Sequence, residues 1–269
     1  MQISSAYVHF EDEGGMEQED YGLSVRQYLS TVNTKHHPLA EAAFLERIGS
    51  FGVVVTSSDL NQDVAQVVVK SDQLSYGAFA NLMEPDQAVF LNLFFSKTDR
   101  QRVNFGIGDT QSKGYLLEIG RYLDAGHVVS FEYAHSETES AFVSFPVSRA
   151  ERSSYALKSK VVKMLGAGRA VNLEGEARIA KFQTQNADHK NTVFEIKSDY
   201  YFNRSVSLGG AVSTNSGDDK FSEGESYAAD FSIYWTPSFS LGLIYETFVA
   251  DNASGFDYDL YLVSMALRF

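Results

Sequence analysis

From Tyr258 to Phe269 the chain alternates with a period of two. Tyr261, Val263, Met265, Leu267 and Phe269 are apolar or aromatic, and Ser264, Ala266 and Arg268 between them are small or polar. Successive side chains of a strand point to opposite faces, so the pattern predicts a strand with one greasy face. Phe239, Leu241, Leu243 and Tyr245 alternate in the same way against Ser240, Gly242 and Glu246. Farther back, Phe231, Ile233 and Trp235 oppose Asp230, Ser232 and Tyr234, and Val206, Leu208 and Val212 alternate with Ser205, Ser207 and Ser213. Phe194, Ile196, Tyr200 and Phe202 oppose Glu195, Lys197, Asp199 and Tyr201. Val171, Leu173, Ala177 and Ile179 oppose Asn172, Glu174, Glu176 and Arg178. Tyr155, Leu157 and Val161 oppose Lys158 and Lys160, and Val129, Phe131 and Tyr133 oppose Ser130 and Glu132. Charge recurs on one parity.

The N-terminal half is less regular. Strands are expected at 2–11, 20–29, 49–58, 63–71, 73–83, 87–97, 101–109 and 114–123, with Val89, Leu91, Leu93 and Phe95 alternating most clearly. With eight more behind them the count is sixteen, or fourteen if a weak pair fuses or drops out. An even number returns both termini to one rim. Residues 30–49 break the period, and Pro38 followed by Leu39, Ala40, Glu41, Ala42, Ala43, Phe44 and Leu45 predicts a short helix near 38–48 that starts at proline. It falls on the tight-turn side, where it could cap the structure or fold into its mouth.

Each segment approaches the roughly 9 to 11 residues that a tilted strand needs to cross a bilayer. Alternation alone does not separate a soluble sandwich, apolar inside, from a membrane barrel, apolar outside. The connections do. Tight ones at Leu123–Gly126, Leu165–Gly168, Phe202–Ser205 and Trp235–Ser238 alternate with longer ones at 136–151, 183–191, 214–226 and 250–257. Short turns on one rim and long loops on the other is the membrane-barrel arrangement. Tyr200, Tyr201, Phe202, Trp235, Phe239 and Phe269 flank the tight turns, where an interfacial girdle is expected. The expected fold is therefore all-β: one transmembrane antiparallel up-and-down barrel over residues 1–269.

Composition narrows this further. The chain has 15 Tyr, 20 Phe and only 4 Pro, which favours strands. Charges interrupt every stretch long enough to make a transmembrane helix, which would need roughly 18 apolar residues in a row. The absence of cysteine removes disulfides, thiol nucleophiles and thiolate metal sites. With 22 Lys and Arg against 35 Asp and Glu there is no basic stripe for nucleic acid. Residues 1–20 lack the basic start, apolar stretch and cleavage site of a signal peptide, as a mature secreted form would.

If the apolar parity faces lipid, the lumen receives Glu118, Glu132, Glu174, Glu176, Glu195, Asp199, Asp230 and Glu246 with Arg26, Lys158, Lys160, Arg178 and Lys197. Facing rings of opposite charge would set a transverse field, and the excess of acid would favour cations weakly. The alternative is that these groups pair off across neighbouring strands. Two acidic stretches, Glu11, Asp12, Glu13, Glu17, Glu19, Asp20 and then Asp218, Asp219, Glu223, Glu225 with Lys220, read as solvated loops or as divalent-ion bridges to lipopolysaccharide.

Chemistry other than passage is poorly supported. None of His9, His36, His37, His127, His135 and His189 stands in a catalytic motif. His135-Ser136-Glu137 has the right residue types, but adjacent strand residues face opposite ways. The His36-His37 pair with Glu41 suits a polar turn better than a metal site. No catalytic residue, metal or cofactor is expected.

The strand ending in Met265, Leu267 and Phe269 resembles the C-terminal signal by which Gram-negative outer-membrane proteins are recognised for barrel assembly. His37-Pro38-Leu39-Ala40-Glu41-Ala42-Ala43-Phe44-Leu45, after Tyr28-Leu29-Ser30, resembles a porin family of Gram-negative proteobacteria. Tyr200-Tyr201-Phe202-Asn203-Arg204-Ser205 and Ser207-Leu208-Gly209 are similar to porin strand-turn-strand units. The resemblance implies a channel of the cell outer membrane, passing small hydrophilic solutes and ions, with outer-membrane lipid, lipopolysaccharide and the barrel-assembly machinery as partners. The rival readings are a soluble β-domain for binding or adhesion and a barrel enzyme with a rim site.

Overall fold

Strands that each carry one apolar face can bury their backbone groups without burying that face only by closing into a ring in lipid. The computed structural model shows such a ring. It describes residues 1–12, 15–64, 67–84, 86–102, 107–142, 145–166, 168–184, 187–218, 223–251 and 257–269. The strands are β1 (Gln2–Asp12), β2 (Met16–Tyr28), β3 (Ser50–Val64), β4 (Val67–Glu84) and β5 (Val89–Arg102). They continue as β6 (Ile107–Tyr122), β7 (His127–Phe142), β8 (Phe145–Gly166), β9 (Arg169–Thr184) and β10 (Asp188–Asn203). The last are β11 (Val206–Gly217), β12 (Gly224–Thr236), β13 (Phe239–Ala250) and β14 (Tyr258–Arg268). Each pairs antiparallel with its sequence neighbours, and β1 closes on β14 from Gln2 opposite Arg268 to Asp12 opposite Tyr258. At the seam the Met1 ammonium donates to the Phe269 carbonyl at 3.1 Å.

The count is fourteen, not the sixteen favoured by the sequence. The described residues of 63–71 and 73–83 belong to the end of β3 and one continuous β4, and those of 101–109 and 114–123 to the end of β5 and one β6. The polar runs Ser71-Asp72-Gln73 and Gln111-Ser112-Lys113 look like turns, yet their backbones stay in register with both neighbours. The long connections contract for the same reason. Residues 136–151 are mostly a continuous β7–β8 hairpin, Ser140 lying opposite Ser148, and 183–191 is mostly the β9–β10 hairpin. Above the lipid a strand no longer needs apolar outward residues, so the period disappears while the ladder continues. The 214–226 link shortens too, with β11 running to Gly217, and only 250–257 keeps its expected length.

The outer face is apolar. Phe95, Ile119, Leu157, Leu173, Ile196, Leu208 and Leu243 stand outward with between 43% and 63% of their surface exposed. In water so continuous a greasy surface would aggregate, which overturns the soluble-domain reading. Tyr rings end this band toward the far rim: Tyr115, Tyr133 and Tyr155 touch in sequence at 5.9 and 5.1 Å, and Tyr7–Tyr21 and Tyr245–Tyr261 at 5.1 Å. Their hydroxyls reach rim carboxylates, Tyr245 donating to Asp259 at 2.8 Å and Tyr76 to Asp99 at 2.6 Å. Tyr200, Phe202, Trp235 and Phe269 mark the tight-turn edge, whereas Tyr201 faces inward and is 4% exposed. Trp235 and Tyr227 are eight residues apart on β12, about 26 Å along the strand and about 20 Å in height at the usual tilt of roughly 40°, so they lie within the roughly 25 Å apolar band of outer-membrane barrels.

Candidate pore

The connection from β2 to β3 fills the tight-turn mouth. Its helix, α1 (Ala42–Leu45), is much shorter than the expected 38–48 span, the flanks being turns. Pro38, Leu39 and Ala42 are almost fully buried against the wall. The Leu39 amide donates to the Arg204 carbonyl at 2.9 Å, and Arg268 donates to the Leu39 carbonyl at 3.1 Å. On the opposite side the Tyr122 hydroxyl donates to the Phe44 carbonyl at 3.1 Å, with Phe44 against the Tyr122 ring at 5.3 Å. The segment thus crosses the mouth from the β10–β11 turn and β14 to β6, settling the question of cap or insertion in favour of insertion.

Above it runs a belt of inward polar groups. Asn92 donates to Glu118 at 2.7 Å and Ser130 to its other oxygen at 2.5 Å. Lys158 lies 2.5 Å from Glu132 and 3.5 Å from Glu176, and Arg178 lies 3.1 Å from Glu132 and 2.6 Å from Glu176. Lys160 holds Glu41 of the inserted segment and Glu174 of β9, both at 2.8 Å. Asn172 donates to Glu174 and to Asp199, each at 2.8 Å, and Lys197 stands 3.7 Å from both Asp199 and Asp230. The Tyr201 hydroxyl completes the set by donating to Glu41 at 2.9 Å.

All thirteen charged positions read from the sequence lie on the parity opposite the apolar outer face. Their arrangement is not that of facing rings. Opposite charges pair along one wall, on the same strand, on neighbouring strands or one strand farther, so most of them are neutralised locally. Arg26 instead stacks its guanidinium 4.9 Å over the Phe79 ring, across Gly52 on the strand between. Glu118, Glu195 and Glu246 make no ion pair among the described residues. Met265, Leu267 and Phe269 lie on the outer face, 48%, 45% and 77% exposed.

Sequence reasoning missed Glu41 as a member of the belt, because nothing in a helix-like stretch signals which strand it will meet. It also missed Asn81, Asn92, Asn172 and Tyr201, uncharged groups that join the carboxylates. Two cavities share Phe44, Asn81, Asn92, Glu118 and Tyr122. One, of 270 Å³, lies over the segment toward Lys158, Glu176 and Glu195; the other, of 530 Å³, runs down its side past Ala43 to Ile48 and Met83.

His37 meets Glu46 at 2.6 Å while Glu41 turns to Lys160 and Tyr201, so the His36-His37 pair and Glu41, the less favoured metal reading, do not converge. His135 and Glu137 share the outer face at 3.4 Å, and the serine that His135 meets is Ser153 of β8 at 2.9 Å, not Ser136. This trio has no evident oxyanion donor, because the strands on both sides are held in register and use their amides in the ladder. Glu13, Asp219 and Lys220 of the acidic stretches lie outside the described residues. The rest are not loop residues throughout: Glu11 and Glu17 face each other in the β1–β2 hairpin, and Glu19 accepts from Tyr7 at 3.1 Å.

No protein-family model and no curated protein sequence matches the chain. Solved structures do. It is similar to the outer membrane protein Omp33 of Acinetobacter baumannii, with TM-score 0.55, 16% identity, and coverage of 100% of this chain and 98% of that one. The fold is that of an outer-membrane β-barrel. The β domain of the Bordetella autotransporter BrkA aligns with TM-score 0.53 and 10% identity over 100% and 98% of the two chains. The Pseudomonas putida toluene transporter TodX aligns with TM-score 0.56 and 8% identity over 100% and 88%. At these identities the likeness is one of fold.

Proposed function

We propose that this protein is a passive channel of the Gram-negative outer membrane for small hydrophilic solutes and ions. The observation that carries the reading is the inner lining: a fourteen-strand barrel with an apolar outside encloses a polar belt and connected cavities beside the inserted segment. About eight strands would be filled by side chains, whereas fourteen leave room for water. That several solved structures of this fold are named as transporters or channels agrees with it. The tight-turn rim and both termini then face the periplasm, and the long hairpins face outward. Solutes pass beside α1 through the space bounded by Ile48 and Met83. The belt supports only a weak cation preference, set by Glu118, Glu195 and Glu246, because its other carboxylates are paired.

Planar-bilayer recording of the refolded protein under a salt gradient tests this. Stable ohmic steps with a cation-selective reversal potential are expected. Insertion without any conductance, from protein that shows heat-modifiable migration on a gel, would overturn the channel reading.

A further inference from the structure

The inner wall is not polar throughout. On β13, β14 and β1 the inward parity carries Ile244, Phe248, Leu260, Leu262, Val8 and Phe10. Leu262 lies between Val8 and Ile244 in the ladder, and Leu260 between Phe10 and Glu246. Tyr258 packs on Phe10 at 4.9 Å and stacks on Phe248 at 5.2 Å with an 11° interplanar angle. All but Phe248 remain partly open to the lumen. Apolar groups kept against a water-filled interior are costly unless something apolar visits them.

Carboxylates border this strip. Asp230 is the ladder neighbour of Ile244, Glu246 of Leu260, and Asp20 of Val8. The row from Glu246 runs through Ala228 and Ala211 to Lys197, which is drawn to Asp199 and Asp230, and the row from Glu195 runs through Ser213 and Ser226 to Phe248, so Glu195 and Glu246 stand diagonally with only small residues between them. Glu195 also stands opposite Glu176 of β9 and two residues from Lys197 on its own strand. Two unpaired carboxylates thus face each other across a floor of small residues, one edge of which is apolar. The strip centres on β14, five strands from β9, which with β8 and β10 carries most of the inward charge.

Building on the channel reading, we infer that the lumen selects small amphiphilic cations, solutes with an ammonium group on an apolar body. The ammonium sits between Glu195 and Glu246, and the body lies along Ile244, Leu260 and Leu262. The two halves act together: a simple ammonium ion uses only the carboxylates, and a neutral or anionic aromatic uses only the strip.

Benzylammonium, methylammonium and benzoate, added to protein conducting potassium chloride in a planar bilayer, provide the test through the concentration that halves the current. Benzylammonium is expected to act at least about tenfold below the other two. Ile244→Ser with Leu262→Ser should bring it to the level of methylammonium, and Glu195→Gln with Glu246→Gln should abolish the block by both amines. Heat-modifiable migration of each variant on a gel shows that its barrel is assembled. Equal action of the three probes on the native protein, or block unchanged in both variants, overturns the inference and leaves the channel intact. Absence of potassium conductance in the native protein is the separate failure of the channel reading.

Discussion

Glu41 of the inserted segment and Lys160 of β8 are joined at 2.8 Å, and the same ammonium is held at 2.8 Å by Glu174. Glu41 is 6% exposed and also accepts from Tyr201, so a single carboxylate ties the segment to two strands. Glu41→Gln keeps the shape and removes the charge. The loss of a charge-assisted contact, about 1.5 to 3 kcal/mol, corresponds to roughly a ten- to hundredfold shift away from the docked segment. Single-channel recording should show larger, noisier steps, and unchanged steps would mean that the segment is held by its apolar contacts alone.

Gly52 stands between Arg26 and Phe79. A side chain there would run into the Val25 carbonyl oxygen and lie 2.5 Å from the Phe79 ring. Gly52→Val should therefore destabilise the barrel by at least about 1 to 3 kcal/mol, the usual cost of overpacking. Gly22→Ala is the control, since its nearest neighbours lie 3.9 Å away. Folded yield on heat-modifiable gels should fall for the first and hold for the second.

Leu243 is 43% exposed near the middle of the outer band of β13. Leu243→Arg should cost about 2 to 4 kcal/mol of stability in lipid, measured by urea titration in bilayers. A cost near zero would place this position outside the hydrocarbon.

Phe269 is the most exposed aromatic among the described residues, at 77%, and its amide donates to the Met1 carbonyl at 2.9 Å. If it acts in recognition rather than packing, Phe269→Ala should lower assembly in cells several-fold while refolding into detergent stays normal. Equal loss in both assays would assign it a purely structural role.

The alternation gave the outward parity of nearly every strand because lipid enforces it residue by residue. Strand number was harder. Ser71-Asp72-Gln73 carries the same polar residues in a ladder as it would in a turn, and nothing outside the hydrocarbon distinguishes the two. The inner charges were legible as a set, while their pairing depended on which strands became neighbours and in what register. Glu41 could not be placed at all from sequence, since its partners are 119 and 160 residues away (160 − 41 and 201 − 41). Leu260 and Leu262 escaped notice for another reason: they interrupt the alternation of β14, and a strand apolar on both faces reads as noise when only one greasy face is sought.

The strands also differ in length around the ring: β8 has 22 residues and β4 has 18, but β13 has 12 and β14 and β1 have 11 each. At about 3.3 Å per residue the longest and shortest differ by about 36 Å along the strands. The outer rim is consequently slanted, a tall collar on one side and a low sill on the other. The sill stands over the apolar strip. On the channel reading, the sill is the lower way in for molecules gathered at the membrane surface, and the collar faces those arriving from bulk solution.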